Sequence, residues 1–231
     1  MAQAEYSDLD AVKGALEGTE TALMVSGSET ADRVQQHRTF VDAAVEAGVQ
    51  HLVYTSFFGA AADATFTLAR DHWATEEHIK ASGLRWTCLR DNLYLDFFPL
   101  LAGEDGVIRG PGGEGRVSAV AQDDIAVAAA TILRSPADHV AATYRLTGPE
   151  ALSFAEAAAV LTQHVGREFS YHAESMGEAY ESRAGYGAPP WQVDAWVSTY
   201  TAVAAGEMET VTDDVLRLIG RAPMSLADLL S

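Results

Sequence analysis

The sequence predicts an α/β protein: a Rossmann-like parallel sheet, incomplete at its N-terminal end, with a smaller and mostly helical C-terminal lobe. Three short apolar segments within residues 21–90 follow one another at intervals of about 30 residues, and a segment with helical spacing separates each pair. Because apolar strands joined by helices form parallel sheets, this order predicts a βαβαβ unit. From residue 153 onward the pattern is nearly all helical.

The first strand is predicted at residues 21–25, an uninterrupted apolar run that is typical of a strand buried on both faces. Residues 26–28 follow as a turn, with Ser28 as the candidate N-cap of the next helix and Glu29 in its first turn. Four residues share the apolar face of that helix: Val34, Val41, Ala44 and Val45. Gly48 is placed to end it as the residue after the C-cap.

The same unit then repeats. Residues 51–55 predict the second strand, and a loop at residues 57–68 leads into a helix at residues 69–81. Residues 82–83 stop this helix, because serine and glycine favour helix ends. Residues 84–89 predict the third strand.

The beginning of the sequence resembles the middle of a dinucleotide-binding fold. Such a fold opens with a strand and a glycine-rich turn that holds the pyrophosphate at a helix N-terminus. Here residues 2–5 look like the third strand, and residues 8–17 predict the helix after it. We therefore expect that roughly two strands and two helices of the complete fold are missing. Met1 is then either a misassigned start or the start of a real shortened product.

Residues 110–115 form a glycine-rich cluster that has two interpretations. They follow the apolar residues 107–108 and lead into an extended run at residues 117–120. A phosphate-binding loop opens a helix, whereas a glycine turn between two extended runs is typical of a hairpin. The sequence favours the hairpin turn over the phosphate cradle.

The rest of the chain predicts one more strand and a series of helices. The strand is predicted at residues 143–146. The helices are predicted at residues 123–133, 153–165, 174–183, 189–205, 213–220 and 225–230. We divide the chain into an incomplete NAD(P)-binding core at residues 1–148 and a mostly helical substrate lobe at residues 149–231.

The charge of the chain limits its partners. The formal net charge is −18, from 33 acidic and 15 basic residues. Such a charge repels phosphate backbones and anionic membrane surfaces, so we expect neither nucleic acid nor membrane as a partner. A neutral or cationic organic substrate is not opposed. The alternative is that the charge serves only solubility, as in a high-salt habitat.

Cysteine usage and the N-terminus predict a cytoplasmic protein. Cys88 is the only cysteine and lies in the apolar run of residues 86–89, which excludes a disulfide framework and a cysteine-based metal site. The N-terminus lacks the basic and apolar regions of a signal peptide, and no window approaches the roughly 18 apolar residues of a membrane span.

Ligands of parallel sheets bind outside the carboxyl ends of the strands. The candidate cofactor-binding residues at these ends are Ser26, Gly27 and Ser28, on the adenosine ribose side of a dinucleotide, and Tyr54, Thr55 and Ser56, toward its nicotinamide half. The candidate walls of a pocket for a planar acceptor are Phe57, Phe58, Tyr94 and Phe97. The competing interpretation is an ordinary strand-to-helix turn beside aromatic side chains of the core.

His72 and Glu76 are four residues apart and share one face of the predicted helix. A metal site would need a third ligand, and neither Asp71 nor His78 lies on that face. We therefore expect no metal. A contact to a cofactor and a surface ion pair are the two interpretations that remain.

Five motifs carry a family resemblance. They are Tyr54-Thr55-Ser56, His72-x-x-Thr75-Glu76, Ser82-Gly83-Leu84, Leu89-Arg90-x-Asn92-x-Tyr94 and Asp123-Asp124-Ile125-Ala126. In order and spacing they resemble the NmrA-like, atypical short-chain dehydrogenase/reductase family, and among its members the type 2 NAD(P)H:quinone oxidoreductases and triphenylmethane reductases. The resemblance spans nearly the whole chain and implies NADPH or NADH as the cofactor. The family's Gly-x-x-Gly-x-x-Gly region and the segment that selects the cofactor are not in this sequence.

A second departure concerns the catalytic pair of the wider superfamily, Tyr-x-x-x-Lys. Neither of the two lysines lies four residues after a tyrosine, so the pair is absent. The resemblance places His72 at the position of that lysine. Reducing a simple carbonyl needs a proton donor, whereas a quinone spreads the new charge and a cationic dye is neutralised by hydride. We therefore predict direct hydride transfer to an electron-poor conjugated acceptor, with His72 and Asn92 as the catalytic residues that orient cofactor and acceptor.

Two other functions compete with the oxidoreductase. The first is a non-catalytic NAD(P)-sensing protein that acts through a protein partner, as the resemblance also allows. The second is an inactive remnant, which predicts a low and broad thermal transition because an apolar sheet edge is exposed. The predicted partner of the enzyme is a small-molecule acceptor, and the sequence leaves a homodimer open.

Overall fold

The computed structural model describes residues 3–231, which form eight strands and ten α-helices. The strands are β1 (Thr21–Met24), β2 (His51–Phe57), β3 (Arg85–Asp91), β4 (Val107–Gly110), β5 (Arg116–Val117), β6 (Ala142–Leu146), β7 (Leu152–Ser153) and β8 (Ser170–Ala173). The helices are α1 (Leu9–Leu16), α2 (Arg33–Glu46), α3 (Thr67–Ala81), α4 (Phe98–Leu101), α5 (Gln122–Arg134), α6 (Phe154–Val165), α7 (Met176–Ala184), α8 (Pro190–Ala204), α9 (Asp214–Ile219) and α10 (Leu226–Leu229).

The central sheet is parallel, with strand order β1-β2-β3-β6. His51 pairs with Thr21 on one side and with Arg85 on the other. Strand β6 joins the outer side of β3, where Leu146 pairs with Asp91. The Rossmann-like α/β fold and the predicted βαβαβ unit are therefore confirmed.

Every residue of β2 is buried, because helices cover both faces of the sheet. Side chains alternate between the faces along a strand. Leu52 and Cys88 pack with Val41 of α2 on one face, whereas Val53 packs with Ile125 of α5 on the other. These two apolar layers fix the register, since a shift by one residue would exchange the faces.

Cys88 lies at the centre of β3 and is fully buried. Burial raises the pKa of its thiol to about 12, because the thiolate would lose its hydration.

The second half of the chain packs over the carboxyl end of the sheet through two small sheets and a third apolar cluster. Strand β4 pairs with β8 in parallel, and β5 pairs with β7 in antiparallel orientation. The apolar cluster joins Phe98 and Ile108 to Phe154, Ala195 and Leu226. It includes residues from both sides of position 148, and the division of the chain there stays a prediction.

Two glycines mark close contacts between backbones. A Cβ atom on Gly115 would lie 2.3 Å from the carbonyl oxygen of Val203 in α8. A Cβ atom on Gly148 would lie 2.2 Å from the carbonyl oxygen of Ala119. Only glycine allows backbones to approach this closely.

Three local predictions were wrong. Helix α2 begins after Asp32, so Ser28 is not its N-cap and Glu29 is not in its first turn; residues 26–29 instead form the rim of a cavity. Residues 3–5 form no strand, because no strand pairs with them within the described chain, and residue 2 lies outside it. The turn at residues 110–115 is no hairpin, because β4 and β5 pair with other strands.

No helix within residues 3–231 has the length and apolar character needed to cross a membrane.

Candidate functional site

A cavity of about 1010 Å³ lies at the carboxyl ends of β1, β2 and β3, between the sheet and α8. This is the position at which parallel sheets bind ligands. Nine of the predicted site residues line it: Ser26, Gly27, Ser28, Ser56, Phe57, His72, Asn92, Tyr94 and Phe97. Three do not line it: Tyr54, Thr55 and Phe58. Their roles toward a ligand stay predictions.

Three hydrogen bonds hold Ser26 and Gly27 in the loop after β1. The Ser26 backbone N–H donates to Thr55 Oγ1 over 2.8 Å. The Gly27 N–H donates to His37 Nε2 over 2.8 Å, and its carbonyl oxygen accepts from Arg33 Nε over 2.9 Å. Thr55 therefore acts on this cavity by positioning the loop. A Cβ atom on Gly27 would approach His37 Nε2 to 3.3 Å, so glycine suits this position.

His72 lies at the end of the cavity nearest the sheet and is held between two side chains. Arg33 Nη2 lies 3.1 Å from its Nε2, and the Tyr54 hydroxyl lies 3.0 Å from its Nδ1. An arginine can only donate, so Nε2 accepts and the imidazole proton lies on Nδ1, which donates to Tyr54. Burial, and then the charge of Arg33, hold the pKa of His72 well below its usual value. His72 is therefore neutral, and its N–H is committed to Tyr54.

His37 repeats this arrangement one helical turn after Arg33. Its Nε2 accepts from Gly27, so its Nδ1 carries the proton and donates to Thr75 Oγ1 over 2.9 Å. The Thr75 hydroxyl in turn donates to the carbonyl oxygen of Asp71. Burial, with the charge of Arg33 as a second cause, lowers the pKa of His37 to about 4. Both imidazoles behind the loop are uncharged near neutral pH.

Ser56 and Glu76 form a buried polar group on the other side of His72. The Ser56 hydroxyl donates to Glu76 Oε1 over 2.6 Å, and Arg90 contacts both carboxylate oxygens at 2.8 and 2.7 Å. These hydrogen bonds outweigh the burial, so the pKa of Glu76 is lowered. The interpretation of His72 and Glu76 as a surface ion pair was wrong, because both are buried and each has a different partner.

The Asn92 side chain connects three separate parts of the chain through hydrogen bonds. Its amide nitrogen donates to Ser118 Oγ over 2.9 Å and to the Met208 carbonyl oxygen over 3.0 Å. Its side-chain oxygen accepts from the Leu93 N–H over 2.8 Å. Both amide hydrogens are used inside the protein, so Asn92 can meet a ligand only as a hydrogen-bond acceptor. Its clearest effect is to connect the end of β3 to the distant residue 208.

Aromatic rings form most of the remaining wall. Phe57 and Phe66 are in edge contact, with centroids 4.9 Å apart, and Phe154 lies 5.0 Å from Tyr200. At the mouth, Trp196 Nε1 donates to Glu29 Oε2 over 3.3 Å, which connects α8 to the loop after β1. Flat apolar walls of this kind suit a planar ligand.

Sequence reasoning missed the lining residues that come from outside the strand ends. They are Arg33, Phe66, Phe154, Arg183, Tyr186, Trp196 and Tyr200, among others. Arg33 is the nearest to a signal in the sequence, because it follows the β1 loop directly. The others belong to segments that only the tertiary packing brings to the cavity, and neither spacing nor periodicity indicates that.

Within residues 3–231 there is no group of three or more histidine, cysteine, aspartate or glutamate side chains that could hold a metal ion.

Sequence comparison finds relatives along nearly the whole chain. A model of the NmrA-like family matches residues 1–189. Quinone oxidoreductase 2 of Escherichia coli (strain K12) is 32% identical over 232 residues, which cover 99% of this chain and 80% of that protein. An NAD(P)H azoreductase of Xenophilus azovorans is 32% identical over 200 residues, covering 85% of this chain and 70% of that protein.

Solved structures with the same fold include two reductases. The NADPH-dependent quinone oxidoreductase of Escherichia coli in complex with NADPH has a TM-score of 0.90 and 31% identity, covering 99% of this chain and 81% of that one. The triphenylmethane reductase of Citrobacter sp. complexed with NADP(H) has a TM-score of 0.86 and 30% identity, covering 98% and 81%. With the family model matching most of its length and these relatives sharing its fold, the chain belongs to the NmrA-like family.

Proposed function

We propose that the chain is an NAD(P)H-dependent oxidoreductase that transfers hydride to a quinone-like or other conjugated, electron-poor acceptor. Its relatives support the class of reaction: their names describe a quinone oxidoreductase, an azoreductase and a triphenylmethane reductase, and two were solved with NADPH or NADP(H). The choice of acceptor class rests on the cavity itself.

The observation that carries this proposal is that Ser56, His72 and Tyr94, at the sheet end of the cavity, already donate their O–H or N–H groups inside the protein. The Ser56 hydroxyl donates to Glu76, and the His72 N–H donates to Tyr54. The Tyr94 hydroxyl donates to Asp91 over 3.3 Å, and burial raises the pKa of Tyr94. An acceptor that needs protonation at the moment of reduction would find no free donor in Ser56, His72 or Tyr94. A conjugated acceptor can spread the negative charge and take its proton from water afterwards.

The cavity suits the nicotinamide end of the cofactor. It lies at the carboxyl ends of three parallel strands, and Gly27, Arg33 and Ser56 are among the residues that line it. Residues 26–28 would line the adenosine ribose side of the cofactor. The Ser56 hydroxyl oxygen would accept a hydrogen bond from the nicotinamide half. When bound, the reduced nicotinamide supplies the hydride, which carries two electrons and one proton.

The residues of this chain contribute mainly by position and by exclusion of water. Phe57 and Tyr94 hold a planar acceptor between apolar surfaces, and Asn92 fixes the backbone that carries Tyr94. His72 holds Arg33 and the loop at residues 26–28 in place through the contacts described above. Fixed geometry of this kind lowers the entropy that is lost on reaching the transition state.

The first test is a titration of the purified chain with NADPH and with NADH, followed by assays with a panel of quinones and dyes. Oxidation of either nucleotide that depends on a quinone or dye supports the proposal. Saturable nucleotide binding without turnover of any acceptor would contradict it and would favour a nucleotide-sensing protein.

A Ser56→Ala variant tests the absence of a proton donor. If Ser56 gives no proton, we expect quinone turnover at saturating cofactor to stay within severalfold of the unmodified chain, because Arg90 still holds Glu76 and the lost contact to the nicotinamide affects only cofactor binding. Loss of a general acid would instead lower turnover by about 10²- to 10⁴-fold. Thermal unfolding of the variant shows whether the buried Glu76 remains satisfied.

A further inference from the structure

Three accessible side chains meet at the mouth of the cavity. Glu29 is exposed and follows the loop at residues 26–28, Trp196 belongs to α8, and Tyr186 lies between α7 and α8. All three line the cavity, and Tyr186 is 75% exposed. A ligand can therefore reach each of them without any movement of the chain, and the hydride transfer proposed above uses none of them.

The two aromatic rings form a corner. The ring centroids of Tyr186 and Trp196 are 5.9 Å apart and the ring planes are at 85°, so one planar ligand cannot stack on both. Trp196 Nε1 donates to Glu29 Oε2 over 3.3 Å, which places the carboxylate at the edge of the indole. Within residues 3–231 Glu29 forms no ion pair. The corner is thus bordered by a negative charge that no cation compensates.

The other charged groups of the lining leave this charge in place. Glu29 is the only acidic residue among the described residues that line the cavity. Arg183 is bound to the buried Glu174 at 2.8 Å, and Arg33 is only 6% exposed and has its own hydrogen bonds. The mouth of the cavity therefore favours a positively charged group, as does the net charge of −18.

An aromatic corner beside a carboxylate suits a nitrogen cation that carries alkyl groups. Aromatic faces attract cations, and rings set at an angle to each other surround a quaternary ammonium in this way. A cation with N–H groups needs an acceptor for each hydrogen, whereas a fully alkylated nitrogen has no hydrogen to donate and packs its methyl groups on the rings. An anionic group at the same position is repelled by Glu29.

We propose that Glu29, Tyr186 and Trp196 form a specificity-determining subsite for an N-alkylated cationic group of the acceptor. This inference rests on the proposed function, because it names a group that the acceptor of that reaction carries. His72 lies at the sheet end of the cavity and the subsite lies at its mouth, so the cationic group belongs to a substituent outside the ring that is reduced. Hydride transfer leaves the charge of this substituent unchanged, and the subsite holds the acceptor before and after the reaction.

Two 1,4-naphthoquinones of matched shape test the subsite by binding, without turnover. One carries a trimethylammonioethylamino substituent, and in the other a carbon atom replaces the charged nitrogen of that substituent. Isothermal titration calorimetry measures the Kd of each compound. We expect the unmodified chain to bind the cationic compound about 5- to 30-fold more tightly, the combined range of an exposed ion pair and of cation–π contacts.

Variants at the mouth separate the charge from the rings. In Glu29→Gln the amide oxygen still accepts from Trp196 and only the charge is lost, so the preference for the cationic compound should fall by about threefold to fivefold. Tyr186→Leu removes one aromatic face and should lower the preference by about the same factor, whereas Tyr186→Phe should keep it. The control is Glu17→Gln, which changes the net charge equally but lies outside the cavity lining. Because all of these positions are exposed, the melting temperature should not change.

Several results would overturn the assignment. Equal affinities of the unmodified chain for the two compounds, no binding of either, or a preference unchanged in both Glu29→Gln and Tyr186→Leu would each do so. An equal fall in Glu17→Gln would assign the preference to the net charge of the chain. Weaker NADPH binding in Glu29→Gln, with an unchanged preference, would assign Glu29 to the nucleotide. Absence of turnover with any acceptor, with the preference intact, would instead reject the proposed function and leave the cation subsite standing.

Discussion

At the scale of single residues, two neutral imidazoles support the loop that borders the cavity. His37 accepts from the Gly27 N–H, and His72 accepts from Arg33. Each of them stays uncharged because a proton on the accepting nitrogen would face a donor. The loop geometry therefore depends on the protonation state of both side chains.

This dependence predicts a loss of stability in weak acid. In the unfolded chain His37 takes up a proton near pH 6.5, whereas in the folded chain its pKa is about 4. Below pH 6.5 the unfolded state thus binds more protons, and stability falls as the pH is lowered toward 4. The loss from His37 is about 2 kcal/mol by pH 5. Urea unfolding of the unmodified chain and of His37→Gln between pH 7 and pH 5 measures it.

The glutamine variant isolates the contribution of His37, because a glutamine side chain can accept from Gly27 without titrating. We expect its free energy of unfolding to depend less on pH than that of the unmodified chain. Parallel pH profiles for the two proteins would show that the arrangement around Arg33, Thr75 and Tyr54 is wrong.

Asn92 gives a second prediction at this scale. Asn92→Ala leaves the Met208 carbonyl and Ser118 without the amide donor, so we expect a loss of about 1–3 kcal/mol in the free energy of unfolding. Urea unfolding measures the loss, with the exposed Gln35→Ala as the control. Unchanged stability with abolished turnover would instead indicate that Asn92 acts directly on a ligand, as the sequence alone suggests.

At the scale of elements, the repeated apolar runs predicted β1, β2 and β3 within two residues of their observed ends. The runs are reliable because both faces of these strands are buried, and burial selects apolar side chains at every position. The failure at Ser28 has a different cause. A serine before a helix can cap it locally, but here Arg33 and His37 hold the loop from inside the helix, and no local pattern indicates such contacts.

The contact between the β4–β5 turn and α8 predicts a strong effect of a single methyl group. In Gly115→Ala the new Cβ would meet the backbone of Val203, so the helix must move, and we expect a loss of more than about 2 kcal/mol in stability. Thermal unfolding measures it. The matched control is Gly14→Ala in α1, where a Cβ atom meets nothing and stability should rise by roughly 0.5–1 kcal/mol. Equal effects of the two substitutions would contradict the close contact.

At the scale of the whole molecule, the dominant electrostatic feature is an excess of negative charge. The 33 acidic residues outnumber the basic ones by more than two to one. Repulsion among exposed carboxylates opposes the compact state, and salt screens it over distances that shrink to about 3 Å at 1 M.

We therefore expect the melting temperature to rise by a few degrees between about 0.05 M and 1 M KCl. A variant carrying Glu17→Gln, Glu20→Gln and Asp63→Asn, all at exposed positions, should show a smaller rise. Differential scanning calorimetry compares the two proteins. A melting temperature that falls with salt would mean that ion pairs, rather than repulsion, dominate.

The site shows where prediction from sequence ends. The strand ends were predictable, since parallel strands place their carboxyl ends at one edge of the sheet. Twelve site residues were predicted, including His72 and Asn92, and nine of the twelve line the cavity. The opposite wall, with Trp196 and Tyr200, is more than 100 residues away in the chain. Only the packing of α8 against α3 and β5 brings it there, and helical periodicity identifies an apolar face without identifying what that face meets.

The position of Cys88 allows openings of the sheet to be measured through the reactivity of a natural side chain. Since the chain has one thiol, at the centre of β3 and with a raised pKa, alkylating reagents can reach it only when the sheet separates. The rate of alkylation thus measures how often the native protein opens, with no label or substitution needed. Ligands that occupy the cavity should lower the alkylation rate of Cys88. The size of this decrease can rank the ligands by affinity even when none is turned over.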